Sequence, residues 1–250
     1  MRLPLFCGLV FGAVAFPAVT AGQEVKKDSA AAAPLKVLVA CSRNQLSHYQ
    51  KYLESNYSAK TFWAGNEGKQ GEEKVLQGLD ALDTCDVMLL NLYRTHPTDE
   101  QLAKIQKYFK SGKPVVGLRK ASHAFQNWLE VDRVVFGAKY GGHFFDNKKE
   151  QTVFIEEKAK HHPLVAGFKP FMCGGGLYNY TQLAPDVDVL MSGGPPGKSM
   201  PVTWLRINKE TGGRVFYTRY DPKDLQNDEG CRAMVARALF WAAKREISKK

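Results

Sequence analysis

Short apolar runs alternate with amphipathic stretches from Leu35 onward. Leu35 to Ala40 (LKVLVA) has the continuous hydrophobicity of a buried strand. Between Leu46 and Tyr57 the period changes, and Leu46, Tyr49, Leu53 and Tyr57 fall on one helical face. Ala59 to Ala64 (AKTFWA) predicts a second strand. A helix is expected around Glu72–Leu82, and Asp86 to Leu92 (DVMLLNL) is again a continuous apolar strand. The next helix is marked at both ends. Thr98 suits the N-cap, Asp99 and Glu100 complement the dipole, and Ser111-Gly112 stops it, with Leu102, Ile105 and Phe109 as its core stripe. Pro114 to Leu118 (PVVGL) follows as a strand.

This alternation predicts an α/β fold: a doubly wound, mostly parallel sheet with helices on both faces. Later strands look shorter, at Thr152–Ile155, Val187–Met191, Val202–Ile207 and Arg214–Tyr220, some of them antiparallel at an edge. A closing helix is expected from Asp228 to Glu246, burying Met234, Val235, Ala238, Leu239, Trp241 and Ala242.

Upstream of Leu35 the pattern changes. Met1-Arg2 is a short positive start, Leu3 to Val19 is almost wholly apolar, and Val19-Thr20-Ala21 offers small residues for cleavage. The apolar run is shorter than the roughly 20 residues of a membrane span. Residues 1–21 therefore read as a signal peptide and 22–34 as a low-complexity flexible linker, leaving 35–246 as one domain. The expected location is secreted or periplasmic, with no membrane insertion after cleavage.

Charge adds little. The formal net charge is +10, but the basic residues are scattered in singles and pairs, often beside Asp or Glu. No nucleic-acid motif is present, so no nucleic-acid partner is expected. Cys41, Cys85, Cys173 and Cys231 lack CxxC spacing, and Cys41 and Cys85 fall at opposite ends of the predicted sheet. Buried free thiols are expected.

Ligands of an open α/β sheet bind beyond the carboxyl ends of its parallel strands. The residues there are Ser42, Arg43 and His48, then Tyr93, Arg94 and His96, then Arg119, Lys120, Ser122 and His123. The run PVVGLRKASHAF at 114–125, with LNLYRTHPTDEQLAKIQKYFKSGK before it, closely resembles the ThuA-like (trehalose utilization) family. KYGGHF at 139–144, HHPLVAGFKPF at 161–171, GGLYNYTQLAPDVDVLMSG at 175–193 and PVTWLRINKETGGRVFYTRYDPKDLQN at 201–227 carry the likeness along nearly the whole domain.

The resemblance implies a class I glutamine-amidotransferase-like, flavodoxin-like fold. A glutaminase of that superfamily carries a Gly-x-Cys turn after the strand and a later histidine. Here the turn reads Gly117-Leu118-Arg119, and Asp221-Pro222 stands where the histidine falls. A guanidinium has no usable lone pair, which excludes glutamine hydrolysis by that route.

The resemblance also points to sugars, including isomerisation of keto-sugars. On that reading His123, His143 and Arg119 form the catalytic set, with Arg94, Ser122, His48, Tyr178 and Asp221 binding a small-molecule carbohydrate. The leading expectation is an exported isomerase or lyase using His123 as acid/base. The alternatives are a non-catalytic sugar-binding module and a metal-dependent hydrolase. His48, His123, His143 and Asp221 are types that hold zinc or manganese. Lys120 repels a cation there, so no metal ligand is assigned and a divalent ion stays an alternative.

Overall fold

Leu35, Val37, Val39 and Cys41 bury on one face of the first strand, while Leu38 and Ala40 bury on the other. A strand covered by layers on both faces needs that arrangement. The structure, a computed structural model, describes residues 33–67, 75–144, 151–173, 176–195 and 197–250. The expected signal peptide, most of the linker and the start of the helix expected at 72 lie outside the described residues.

In chain order the strands are β1 (Leu35–Cys41), β2 (Ala59–Ala64), β3 (Val87–Asn91), β4 (Val115–Leu118), β5 (Ala138–Phe144), β6 (Gln151–Ile155), β7 (Phe171–Cys173), β8 (Leu177–Leu183), β9 (Val187–Gly193), β10 (Met200–Ile207) and β11 (Arg214–Thr218). The helices are α1 (Ser47–Asn56), α2 (Asp99–Lys110), α3 (Pro222–Asn227) and α4 (Glu229–Ala242). The main sheet runs β2-β1-β3-β4-β11-β10-β9-β6-β7. Its first five strands are parallel, and from β11 onward the pairing is antiparallel. The α/β architecture with antiparallel late strands is therefore as the pattern predicts. The carboxyl ends of β1, β3, β4 and β11 share one edge, and the site lies beyond it.

Local chemistry explains the boundaries. Thr98 accepts from the Gln101 N–H and caps α2. Tyr108, not Phe109, completes the fully buried stripe, because its hydroxyl donates to the Pro114 carbonyl and so can leave water. The described part of the helix expected at 72–82 is a single turn of 3-10 helix, Leu79–Asp83. Gly78 precedes it at φ 74°, and a Cβ there would fall 2.2 Å from the Trp63 carbonyl oxygen. A regular helix cannot pass that point. The closing helix starts where expected, with Asp228 capping α4, and a short helix not expected precedes it: Asp221 caps α3, with Pro222 at its first turn. The closing helix ends early, at Ala242, with Lys244 at φ 56°. Cys41 and Cys85 are buried free thiols, and Cys231 is buried as well.

One element pair was not expected. β5 and β8 form a separate two-stranded antiparallel ribbon. Tyr140 pairs with Tyr180 and His143 with Tyr178, so three steps on β5 match two on β8. This bulge lets Tyr140 and His143 approach the same ring, that of Tyr178, at centroid distances of 4.8 and 5.4 Å.

Candidate functional site

β4 runs out at Leu118, and Arg119–His123 makes one tight turn. Arg119 sits at φ 23°, a backbone state that costs a non-glycine residue about 1–3 kcal/mol. Its own carbonyl supplies the restraint. The Tyr217 hydroxyl donates to it at 2.6 Å and the Ser122 hydroxyl at 3.2 Å, filling both lone pairs. Tyr180 donates to the Tyr217 hydroxyl at 2.5 Å. Tyr217→Phe should therefore lower stability by about 1–3 kcal/mol in urea unfolding, because the Tyr180 hydroxyl and the Arg119 carbonyl each lose a buried partner. An unchanged midpoint would show that the turn does not depend on this bond.

The Arg119 side chain is buried as well. It donates to the Gly176 carbonyl at 3.4 Å and lies 4.8 Å from the Tyr178 ring centre. Arg119 thus ties the turn to the ribbon and presents a cation at the strand end.

His123 closes the turn. Its Nδ1 is 2.9 Å from the Ser122 hydroxyl. That hydroxyl spends its single proton on the Arg119 carbonyl, so it accepts from Nδ1–H. The lone pair of the neutral ring is then on Nε2. Around the ring stand Tyr140, stacked at 4.7 Å, Tyr93 edge-on at 5.1 Å and Tyr178 at 5.6 Å. Burial, then the charges of Arg94 and Arg119, with His143 and Lys120 after them, push His123 down to about 4. At neutral pH it is an uncharged acceptor.

The other expected residues divide by position. Arg94 is held by its own N–H, which donates to the His123 carbonyl, and its guanidinium lies 5.3 Å from the Tyr93 ring. Ser122, His143 and Tyr178 meet at the same place through the contacts above. Asp221 accepts from the Lys223 and Asp224 N–H groups as the α3 cap, and its charge reaches Arg119 and Lys120. The His48 ring bonds to the backbone of Pro222, the neighbour of Asp221, and sits near Arg232. Tyr93, Tyr140 and Lys120 also belong to the constellation. Tyr93 and Lys120 stand at the strand ends that the sequence marks for ligands, although neither is assigned a catalytic or binding role there. Tyr140 depends on the bulge and had no signal.

No group of three or more His, Cys, Asp or Glu side chains able to hold a metal occurs among the described residues. His123 instead faces Arg94, Arg119 and Lys120. The residues present do not fit a divalent cation, and no step is derived through one.

Comparison with known proteins agrees with this fold. The family model ThuA, trehalose utilisation, matches residues 36–242. A ThuA-like protein from Bacteroides uniformis superposes with a TM-score of 0.61 at 16% identity, covering 85% of this chain and 93% of that one. One from Parabacteroides merdae gives 0.61 at 18% identity, covering 87% and 92%. A protein assigned as a GMP synthase component from Thermoplasma acidophilum gives 0.52 at 14% identity, covering 84% and 94%. At these identities the likeness is one of fold. No curated protein matches significantly in sequence.

Proposed function

Because the chain belongs to the ThuA (trehalose utilisation) family, we propose that it acts on a carbonyl-bearing sugar, a keto-sugar or disaccharide, by proton transfer through His123. One observation carries the reading. A neutral imidazole stands among three tyrosine rings and three cationic side chains at a strand end. Tyrosine rings accept the C–H face of a sugar. Nε2 takes the proton from the carbon beside the carbonyl, and the C–H electron pair moves into the enolate. Arg119, with Arg94 and Lys120 near it, stabilises the oxygen that becomes negative. The enolate oxygen takes the hydroxyl proton of the carbon that lost its hydrogen, which becomes the new carbonyl as the Nε2 proton returns to the former carbonyl carbon and completes an isomerisation. Collapse of the enolate with departure of a β-substituent, which leaves with the Nε2 proton, instead makes the step a lyase reaction. With this goes export, residues 1–21 being removed as a signal.

The second reading, a sugar-binding module without turnover, draws on the low basicity of His123. Incubating the protein with a 3-keto-disaccharide in D2O separates the two. Deuterium should enter the sugar at the carbon beside the carbonyl. The rate should be flat above about pH 5 and fall as His123 protonates near 4. Saturable binding with no exchange would leave the binding module as the correct reading.

A further inference from the structure

The charges of this site are unequal, and the imbalance bears on what it binds. Arg119 and Lys120 flank the turn, and the Lys120 ammonium lies 5.4 Å from the Tyr93 ring centre, with Arg94 at 5.3 Å from the same ring. Arg119 stands 4.8 Å from the Tyr178 ring, so all three cations border the rings that enclose His123. The carboxylate whose charge acts on Arg119 and Lys120 is Asp221. One of its oxygens is already spent on the Lys223 and Asp224 N–H groups, capping α3. Among the described residues neither Arg94 nor Lys120 forms an ion pair with a carboxylate.

A neutral sugar would offer hydroxyls to this set but would leave its positive charge uncompensated. Arginine forks match carboxylate and phosphate oxygens in pairs, and such charge-assisted bonds are about twice as strong as neutral ones. We propose that the substrate is an acidic sugar, a ring or open-chain carbohydrate bearing one carboxylate or phosphate, whose anionic group seats between Arg94 and Lys120 beside Tyr93. This rests on the carbohydrate reading above and adds the charge of the ligand. It also couples binding to chemistry. An anion beside those cations cancels part of the field that keeps His123 unprotonated, so the bound substrate makes Nε2 a stronger base.

Calorimetric titration of the full chain with glucuronate, glucose 6-phosphate and glucose at low and high salt tests the proposal. Either acid should bind about tenfold or more tightly than glucose at low salt, and the margin should shrink as salt rises. Whichever acid leads identifies carboxylate or phosphate as the natural group. Arg94→Gln, a change at an exposed position, should remove most of the margin, lowering the affinity for the acid more than that for glucose. Equal affinities for glucose and both acids would overturn the acidic-sugar assignment while leaving proton exchange on neutral keto-sugars intact. A margin that survives both Arg94→Gln and Lys120→Gln would overturn the placement. An acid preference with no deuterium exchange on any of these sugars' keto forms would uphold the assignment and sink the enzyme reading instead.

Discussion

His123→Gln should lower sugar turnover by about 10²–10⁴-fold, the usual worth of a positioned general base. Glutamine keeps a polar side chain of similar reach beside Ser122 but has no lone pair that takes a proton near neutrality. The loss should appear in kcat with substrate affinity little changed, since the ring acts on the reacting hydrogen and the tyrosines and cations hold the sugar. The same substitution has a stability signature. In the wild type the imidazole is held near 4, against about 6.5 unfolded, so the unfolded chain binds the extra proton between those values. Stability therefore falls as pH drops from about 6.5 to 4, by up to about 3 kcal/mol, and is unaffected by this group above that window. His123→Gln should flatten that part of the profile in urea unfolding at graded pH. Full activity in the variant would remove His123 from the chemistry.

Trp204→Ala should be the most destabilising single change among those considered, at about 3–5 kcal/mol. Trp204 has no exposed surface and lies at the centre of β10. It stacks on Tyr217 at 4.3 Å, meets Tyr180 edge-on at 4.9 Å, and its indole N–H donates to the Phe136 carbonyl at 2.8 Å. Truncation opens a cavity under Tyr180 and Tyr217, whose hydroxyls run in sequence to the Arg119 carbonyl, and leaves the Phe136 carbonyl without that donor. The urea midpoint should fall with little change in slope. Trp204→Phe, which fills most of the space, should recover the packing share but not the hydrogen bond. A midpoint shift below about 1 kcal/mol for the alanine variant would contradict this account of the core.

How much of this was legible beforehand depended on burial. β1, β3 and β4 are covered on both faces, so their apolar runs are unbroken and their positions follow directly. The ribbon strand β5, AKYGGHF, is half-exposed and interrupted by two glycines, which hides its period. Tyr108 and Phe109 are adjacent on α2, and the deeper burial of Tyr108 depends on the Pro114 carbonyl that its hydroxyl meets. The strand-end rule located Arg119–His123 and Arg94, since it depends on topology alone. It could not separate Tyr93 from its neighbours, because that depends on which side chains pack against His123. The hydroxyl pair on the Arg119 carbonyl was equally out of reach. Ser122 reaches the carbonyl within the turn itself, but Tyr217 is far along the chain, and its bond exists only once β11 lies beside β4.

The bulge in β5 makes membership of this site a question of parity. Along a flat strand, positions 140 and 143 have opposite parity and would project from opposite faces. One supernumerary residue makes an odd spacing behave as an even one, and Gly142, at φ 99°, absorbs the irregularity. A side chain at 142 would have room, with nothing within 4 Å of its Cβ, but the backbone angle would be strained. Whether His143 faces Tyr178 or the opposite side of the ribbon thus turns on the backbone at Gly142.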